Sequence, residues 1–255
     1  MTSTRTIATV TGWLFLITFV TSIPAAFVFY PPVLTDPTYI LGAGADRGVS
    51  LGALLEVILV VANIGTGVVL YPLLKRQNDA VALGYVAARV VESTIIAVGI
   101  ISLLSVVTLR QEFAGTAGAE AATLVPVGRA LVAVHDATFL LGPGFLAGLG
   151  NGILLGYLMY RSGLVPRGMA LLGLIGGPLL IVSFVAVLFG AFEQVSLPAA
   201  IATIPEFVWE LSLGIYLTVK GFKPAPISAG YEREVEYNAA AVRGAIARVP
   251  PAQRS

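Results

Sequence analysis

The 255-residue sequence is 57% apolar, carries charge on only 11% of its residues and has a formal net charge of +1. That charge density, against roughly 25% in soluble domains, excludes a water-soluble globule of this size, and the near-neutral balance excludes an electrostatic nucleic-acid binder. The lack of cysteine excludes disulfides, dithiol redox chemistry and thiolate metal sites, while a single histidine excludes zinc sites built on several imidazoles of one chain. No cofactor and no metal are therefore expected.

Six apolar runs predict an all-α bundle of six transmembrane helices, over residues 8–29, 50–72, 81–109, 131–160, 168–190 and 197–219. Each reaches or exceeds the roughly 20 residues that cross about 30 Å of hydrocarbon. The first run continues to Tyr30 with no small-x-small cleavage site, so it reads as a retained helix rather than a signal peptide. Residues 30–49, punctuated by proline and glycine, read as a longer loop with room for a short surface helix. The Lys75-Arg76-Gln77-Asn78-Asp79 turn and the Arg161–Arg167 turn are short, which makes helices 2 and 3, and 4 and 5, antiparallel neighbours. Residues 110–130 read as a second long loop. Residues 1–223 form the membrane domain. Residues 224–255 read as a polar, largely disordered tail, with at most a frayed helix near 231–248.

Orientation follows from the basic residues. Arg5, Lys75, Arg76, Arg161, Arg167, Lys220 and Lys223 fall on one side, and Arg47, Arg110 and Arg129 on the other, mixed with acids. The positive-inside rule predicts both termini in the cytoplasm.

Two stretches carry a family resemblance: Leu70-Tyr71-Pro72-Leu73-Leu74-Lys75-Arg76-Gln77-Asn78, running on through Ala82 to Glu92, and Leu155-Gly156-Tyr157-Leu158-Met159-Tyr160-Arg161 through Arg167. With Asp46-Arg47, Glu56 and Lys220-Gly221-Phe222, they resemble the bacterial membrane proteins grouped as domain of unknown function 4386. The resemblance covers about residues 5–223. It implies a multi-pass protein of the bacterial cytoplasmic (inner) membrane and no particular activity.

The pointer to function is a set of ionisable residues inside the apolar runs, where charge is costly and faces a bundle interior or a wet cavity. Helix 2 carries Glu56 and Asn63, seven apart and so on nearly one face. Helix 3 carries Arg89 and Glu92, spaced i,i+3 as a self-neutralising, gating ion pair. Helix 4 carries His135, Asp136 and Asn151, and helix 6 carries Glu206 and Glu210. Helices 1 and 5 carry none and are expected at the periphery. Counted from the outer helix ends, Glu56, His135, Asp136 and Glu206 fall at one depth, with Glu92 and Glu210 deeper, which predicts an outward-facing acidic vestibule.

Helix 4 also repeats Gly144, Gly148, Gly152 and Gly156 at every fourth position, a face for close helix approach, below a Gly142-Pro143-Gly144 break expected to kink or unwind it. Three readings stay open. The first is a non-enzymatic binder, or transport-like carrier, of protons or a small cationic or amphipathic solute in the lipid bilayer. The second is an accessory subunit whose helix 4 glycines dock another membrane protein. The third is an intramembrane enzyme on a lipid substrate, with His135 and Asp136 as acid–base pair and Glu206 and Glu210 on a divalent cation. The sequence has no H-E-x-x-H, G-x-S-x-G or Walker motif to support the third.

Overall fold

A computed structural model of the chain describes residues 3–42, 46–115 and 118–247, and no strand occurs among them. Six helices are long and apolar enough to cross a membrane. Helix α1 (Thr4–Pro24) starts where Ser3 accepts a hydrogen bond from the Thr6 amide. It ends in a wide π-turn, Ala25–Phe29, after Pro24. Helices α2 (Asp46–Leu74) and α3 (Asp79–Glu112) form an antiparallel hairpin, the second capped by the Asn78 side chain on the Val81 amide. Helix α4 begins as Ala119–Phe139, opens into π-helical turns at Leu140–Leu146 and Gly148–Leu155, and closes as a regular helix over Gly156–Ser162. Gly163, with φ of 69°, stops it in the left-handed region that favours glycine. Helices α5 (Arg167–Leu188) and α6 (Leu197–Val219) complete the bundle.

Three expectations change. The 110–130 loop is mostly helix, because α4 starts at Ala119 and extends well beyond a bilayer's thickness. The Gly142-Pro143-Gly144 break does not interrupt the helix. Pro143 cannot donate and glycines tolerate an expanded turn, so the chain winds as π-helix instead. The tail is ordered as helix α7 (Pro226–Ala247), whereas residues 248–255 lie outside the described part.

Helix α7 docks on the end of the bundle that carries the short basic turns. The Thr4 hydroxyl donates to Glu232, Arg76 pairs with Glu234, and the Arg76 guanidinium lies 5.3 Å from the ring centroid of buried Tyr231. The Ser228 hydroxyl hydrogen-bonds within the Ala225 turn. An amphipathic face that finds an aromatic slot and two polar partners overrides the disorder that its composition predicts.

At the opposite end, the 30–42 segment covers the bundle. It holds a short helix, Pro31–Thr35, and a 3-10 turn, Tyr39–Leu41. Val33, Tyr39 and Ile40 are buried with Val49, Leu103 and Val106. Arg110 locks the cover by bonding the Gly42 carbonyl and Asp46 and stacking 5.0 Å from the Tyr39 ring centroid. Burial, then the neighbouring Asp46, raises the Tyr39 hydroxyl pKa against an opposing effect of Arg110. In the exposed loop, bonds from the Thr38 hydroxyl and amide hold the Asp36 carboxyl below its ordinary range.

The main core sits near the basic end, where Phe15, Leu70, Tyr85, Leu155, Met159, Trp209 and Leu213 are buried together. Hydrocarbon tails solvate such side chains as well as a core does, so close packing rather than water exclusion holds these helices together. Small residues permit it. A methyl group on Gly12 would come within 2.5 Å of the Thr218 amide nitrogen, which pins α1 against α6 at this level.

Candidate functional site

Two adjoining cavities occupy the middle and far half of the bundle. The deeper one, about 170 Å³, is walled by Asn63 from α2, Arg89 and Glu92 from α3, and Glu206 and Glu210 from α6. The second, about 380 Å³, lies above it and is walled by Glu56, Gly99, His135, Thr138 and Phe139 among others. Both share Phe19, Ser22, Leu59, Ile96, Pro143, Thr203 and Phe207.

The deeper cavity is built around one guanidinium. The i,i+3 spacing brings Arg89 Nη1 to 2.6 Å from Glu92 Oε2, and the other terminal nitrogen donates to Asn63 Oδ1. Asn63 completes the triangle by donating to Glu92 Oε1 at 3.3 Å. Arg89 is only 2% exposed, and its Nε finds no acceptor. Across the cavity Glu210 accepts a 2.6 Å bond from Asn151 Nδ2, whose π-helical backbone carbonyl takes the Trp209 indole N–H at 3.0 Å.

Glu206 differs from its neighbours. It is 3% exposed, and neither carboxylate oxygen has a hydrogen-bond partner. Room for it comes from glycines: a methyl on Gly152 would stand 2.7 Å, and one on Gly176 2.9 Å, from Glu206 Oε2. Three carboxyl groups and one guanidinium thus line a single pocket.

In the upper cavity Glu56 accepts a 2.8 Å bond from the Tyr30 hydroxyl. The Tyr30 ring meets His135 edge-on at 5.6 Å between centroids. His135 is buried and its Nδ1 has no hydrogen-bond partner. Asp136 Oδ1 stands 3.5 Å away, an ion-pair distance without hydrogen-bond geometry, and the Asp136 side chain is 59% exposed.

The predicted vestibule is therefore only partly assembled. Asn63, Arg89, Glu92, Glu206 and Glu210 come together, and Glu56 and His135 stand above them. Asp136 turns away into a separate groove of about 270 Å³ beside Asp36 and Arg129. Consecutive helical residues differ by about 100°, so His135 and Asp136 cannot both face the cavity. Glu206 sits at the level of Arg89 and Glu92 rather than with Glu56, because the helices do not begin at a common plane. Helix α1, expected at the periphery, lines both cavities through Phe19 and Ser22. Helix α5, likewise expected outside, packs its Gly176 on the Glu206 backbone.

The glycine face of α4 is filled from within the chain. Gly148 and Gly152 lie against Gly177, Gly156 against Leu174, and Gly144 against Phe184, all of α5. Sequence reasoning missed Tyr30 as the Glu56 partner and left Asn151 without a role. An aromatic hydroxyl just past a π-turn has no periodic signature, whereas Asn151 stands out as the one amide in a glycine-rich run. Among the described residues, no three His, Cys, Asp or Glu side chains are grouped to hold a metal.

Comparison with family models matches the domain of unknown function DUF4386 over residues 10–221. Comparison with curated proteins and with solved structures finds no match.

Proposed function

The chain belongs to the DUF4386 family, six of its helices are long and apolar enough to cross a membrane, and we propose that it is an intramembrane binding protein for a cation, with protons as the exchanging species. The observation that carries the reading is Glu206. Polar groups that serve only to join helices end up paired, as Asn63 with Arg89 and Asn151 with Glu210 are. Glu206 is desolvated and unpaired. A buried carboxylate in that state is strongly unfavourable, so it is held neutral by a proton or compensated by a bound cation.

With Glu92 matched to Arg89, the carboxyl groups of Glu206 and Glu210 remain to be neutralised. A cation entering the deeper cavity would replace their protons, coupling occupancy to proton release. Glu56, Tyr30 and His135 stand between that cavity and the exposed Asp136, where they would pass protons toward the far end. The Arg89–Glu92–Asn63 triangle closes the floor and would gate passage toward the basic end. The distribution of basic residues supports a location in the bacterial cytoplasmic membrane with both termini inside. Under this reading the Tyr30–Gly42 cover faces outward. Reporter fusions after Lys75, Arg161 and Lys223 are expected to read cytoplasmic and fusions at Gly118 and Glu193 external; an external reading at Lys223 contradicts this orientation.

The other readings gain less support. Helix α5 already occupies the α4 glycines that would dock a partner, and the acid–base pair imagined for an enzyme is split, with Asp136 outside the cavity. The test is equilibrium binding of tetraphenylphosphonium to the protein in lipid nanodiscs, with empty discs as reference. Glu206→Gln keeps shape and removes the ionisable group. It is expected to weaken binding at least about tenfold, equivalent to roughly 1.4 kcal/mol. Equal binding by both proteins, or none above empty discs, removes the reading.

A further inference from the structure

The shape of the upper cavity restricts how anything reaches Glu206. Toward the basic end, α1 and α6 are locked by Gly12 against Thr218 and by Gly214 against Phe15, where added methyl groups would collide or crowd. The Phe19 and Phe207 rings meet edge-on at 5.0 Å and bridge the two helices just beyond that lock. Toward the far end, Tyr30 spans from Glu56 to His135 beneath the buried Val33 and Ile40, which covers the cavity against water. The side is left. There the wall is formed by Ile23, Phe27, Phe139 and Phe207, which are 41–77% exposed at membrane depth and therefore meet lipid chains.

We propose that the cavity is entered laterally from the bilayer and that its ligand is a single-chain cationic amphiphile. Its ammonium head lies at Glu206 and Glu210, and its alkyl chain runs out between α1 and α6. This inference rests on the cation-binding reading and names its substrate class. Two features of the wall argue for this occupant over a hydrated ion. The wall shared by the two cavities, which leads to Glu206, is aromatic and aliphatic apart from Ser22 and Thr203, so an inorganic cation would have to shed its water among mostly apolar surfaces. An amphiphile already dissolved in the bilayer has an anchored chain and needs to transfer only its head. The excess of carboxyl groups at the inner end supplies the charge complement, and the apolar mouth supplies a continuation of the lipid phase for the tail.

The test uses a decylammonium probe with a photoreactive diazirine at its terminal carbon, added to the full-length protein in nanodiscs, with labelled positions read by mass spectrometry. Labelling is expected at Ile23, Phe27 and Phe207 around the mouth. It should fall at least about tenfold in Glu206→Gln, and excess unlabelled decylammonium should compete. Thr203→Trp, which narrows the mouth, should reduce mouth labelling while thermal unfolding at the wild-type temperature reports that the variant is folded. If wild-type protein binds tetraphenylphosphonium through Glu206 but the probe labels lipid-facing residues indiscriminately and equally in Glu206→Gln, lateral entry is wrong and the cation site stands. If neither cation depends on Glu206, both readings fall.

Discussion

Arg89→Ala is expected to be the most damaging single charge substitution in the chain, lowering stability in detergent by about 3–5 kcal/mol, the range for breaking one side of a buried ion pair. Arg89 is the hub of the deeper cavity. Its removal strands Glu92, unties Asn63 from its strongest partner and leaves three carboxyl groups in one pocket with no compensating charge. The double change Arg89→Ala/Glu92→Ala deletes the stranded partner as well, so it should unfold at a higher temperature than Arg89→Ala alone. Thermal unfolding of the two variants checks this. A double mutant worse by the sum of both single losses would mean that the i,i+3 pair is not energetically coupled.

The second large effect is steric. Gly177→Ala is expected to cost about 1–3 kcal/mol, the usual penalty for forcing a methylene into a packed interior, and Gly177→Leu more. Even one methyl at this position would stand 2.4 Å from the Gly148 carbonyl oxygen and 2.9 Å from the Gly152 Cα. Backbone cannot swing aside as a flexible side chain can, so α4 and α5 must separate. Their separation also shifts Gly152 and Gly176, which make room for the Glu206 carboxylate. Gly168→Ala in the same helix is the control. Nothing lies within 4 Å of its added methyl, so it should be neutral or stabilising by up to about 1 kcal/mol through helix propensity. Equal losses at both positions would show that generic glycine replacement, not the α4–α5 contact, sets the outcome.

The spans were legible because their signal is cumulative: twenty apolar residues outvote any local ambiguity, and Gly163 or Pro166 merely trims an end. The Arg89–Glu92 pair was legible from spacing alone, since one helix turn brings the two side chains together whatever surrounds them. Convergence between helices was less so. Depth counted along separate spans assumes a common starting plane, and α4 begins at Ala119 instead of near residue 131. Facing direction also depends on helix rotation, which turned Asp136 out while its neighbour His135 turned in. The glycines of α4 announced close approach but not the partner. Their complement, Gly177 with Leu174 and Phe184 in α5, was present in the sequence without anything to pair the two sets. The docked tail was hidden because composition reports the average polarity of residues 226–247 and not the few contacts of Tyr231, Ser228 and Glu232 that order it.

The account turns on the protonation of Glu206 and Glu210 being exchanged for a bound cation. Proton release measures this directly: the purified protein in weakly buffered nanodisc suspension is titrated with tetraphenylphosphonium while a pH indicator is followed. Wild-type protein should release protons in proportion to cation bound, and Glu206→Gln/Glu210→Gln should bind weakly and release none. Cation binding with no proton release in the wild type, or unchanged release in the double variant, would contradict the account.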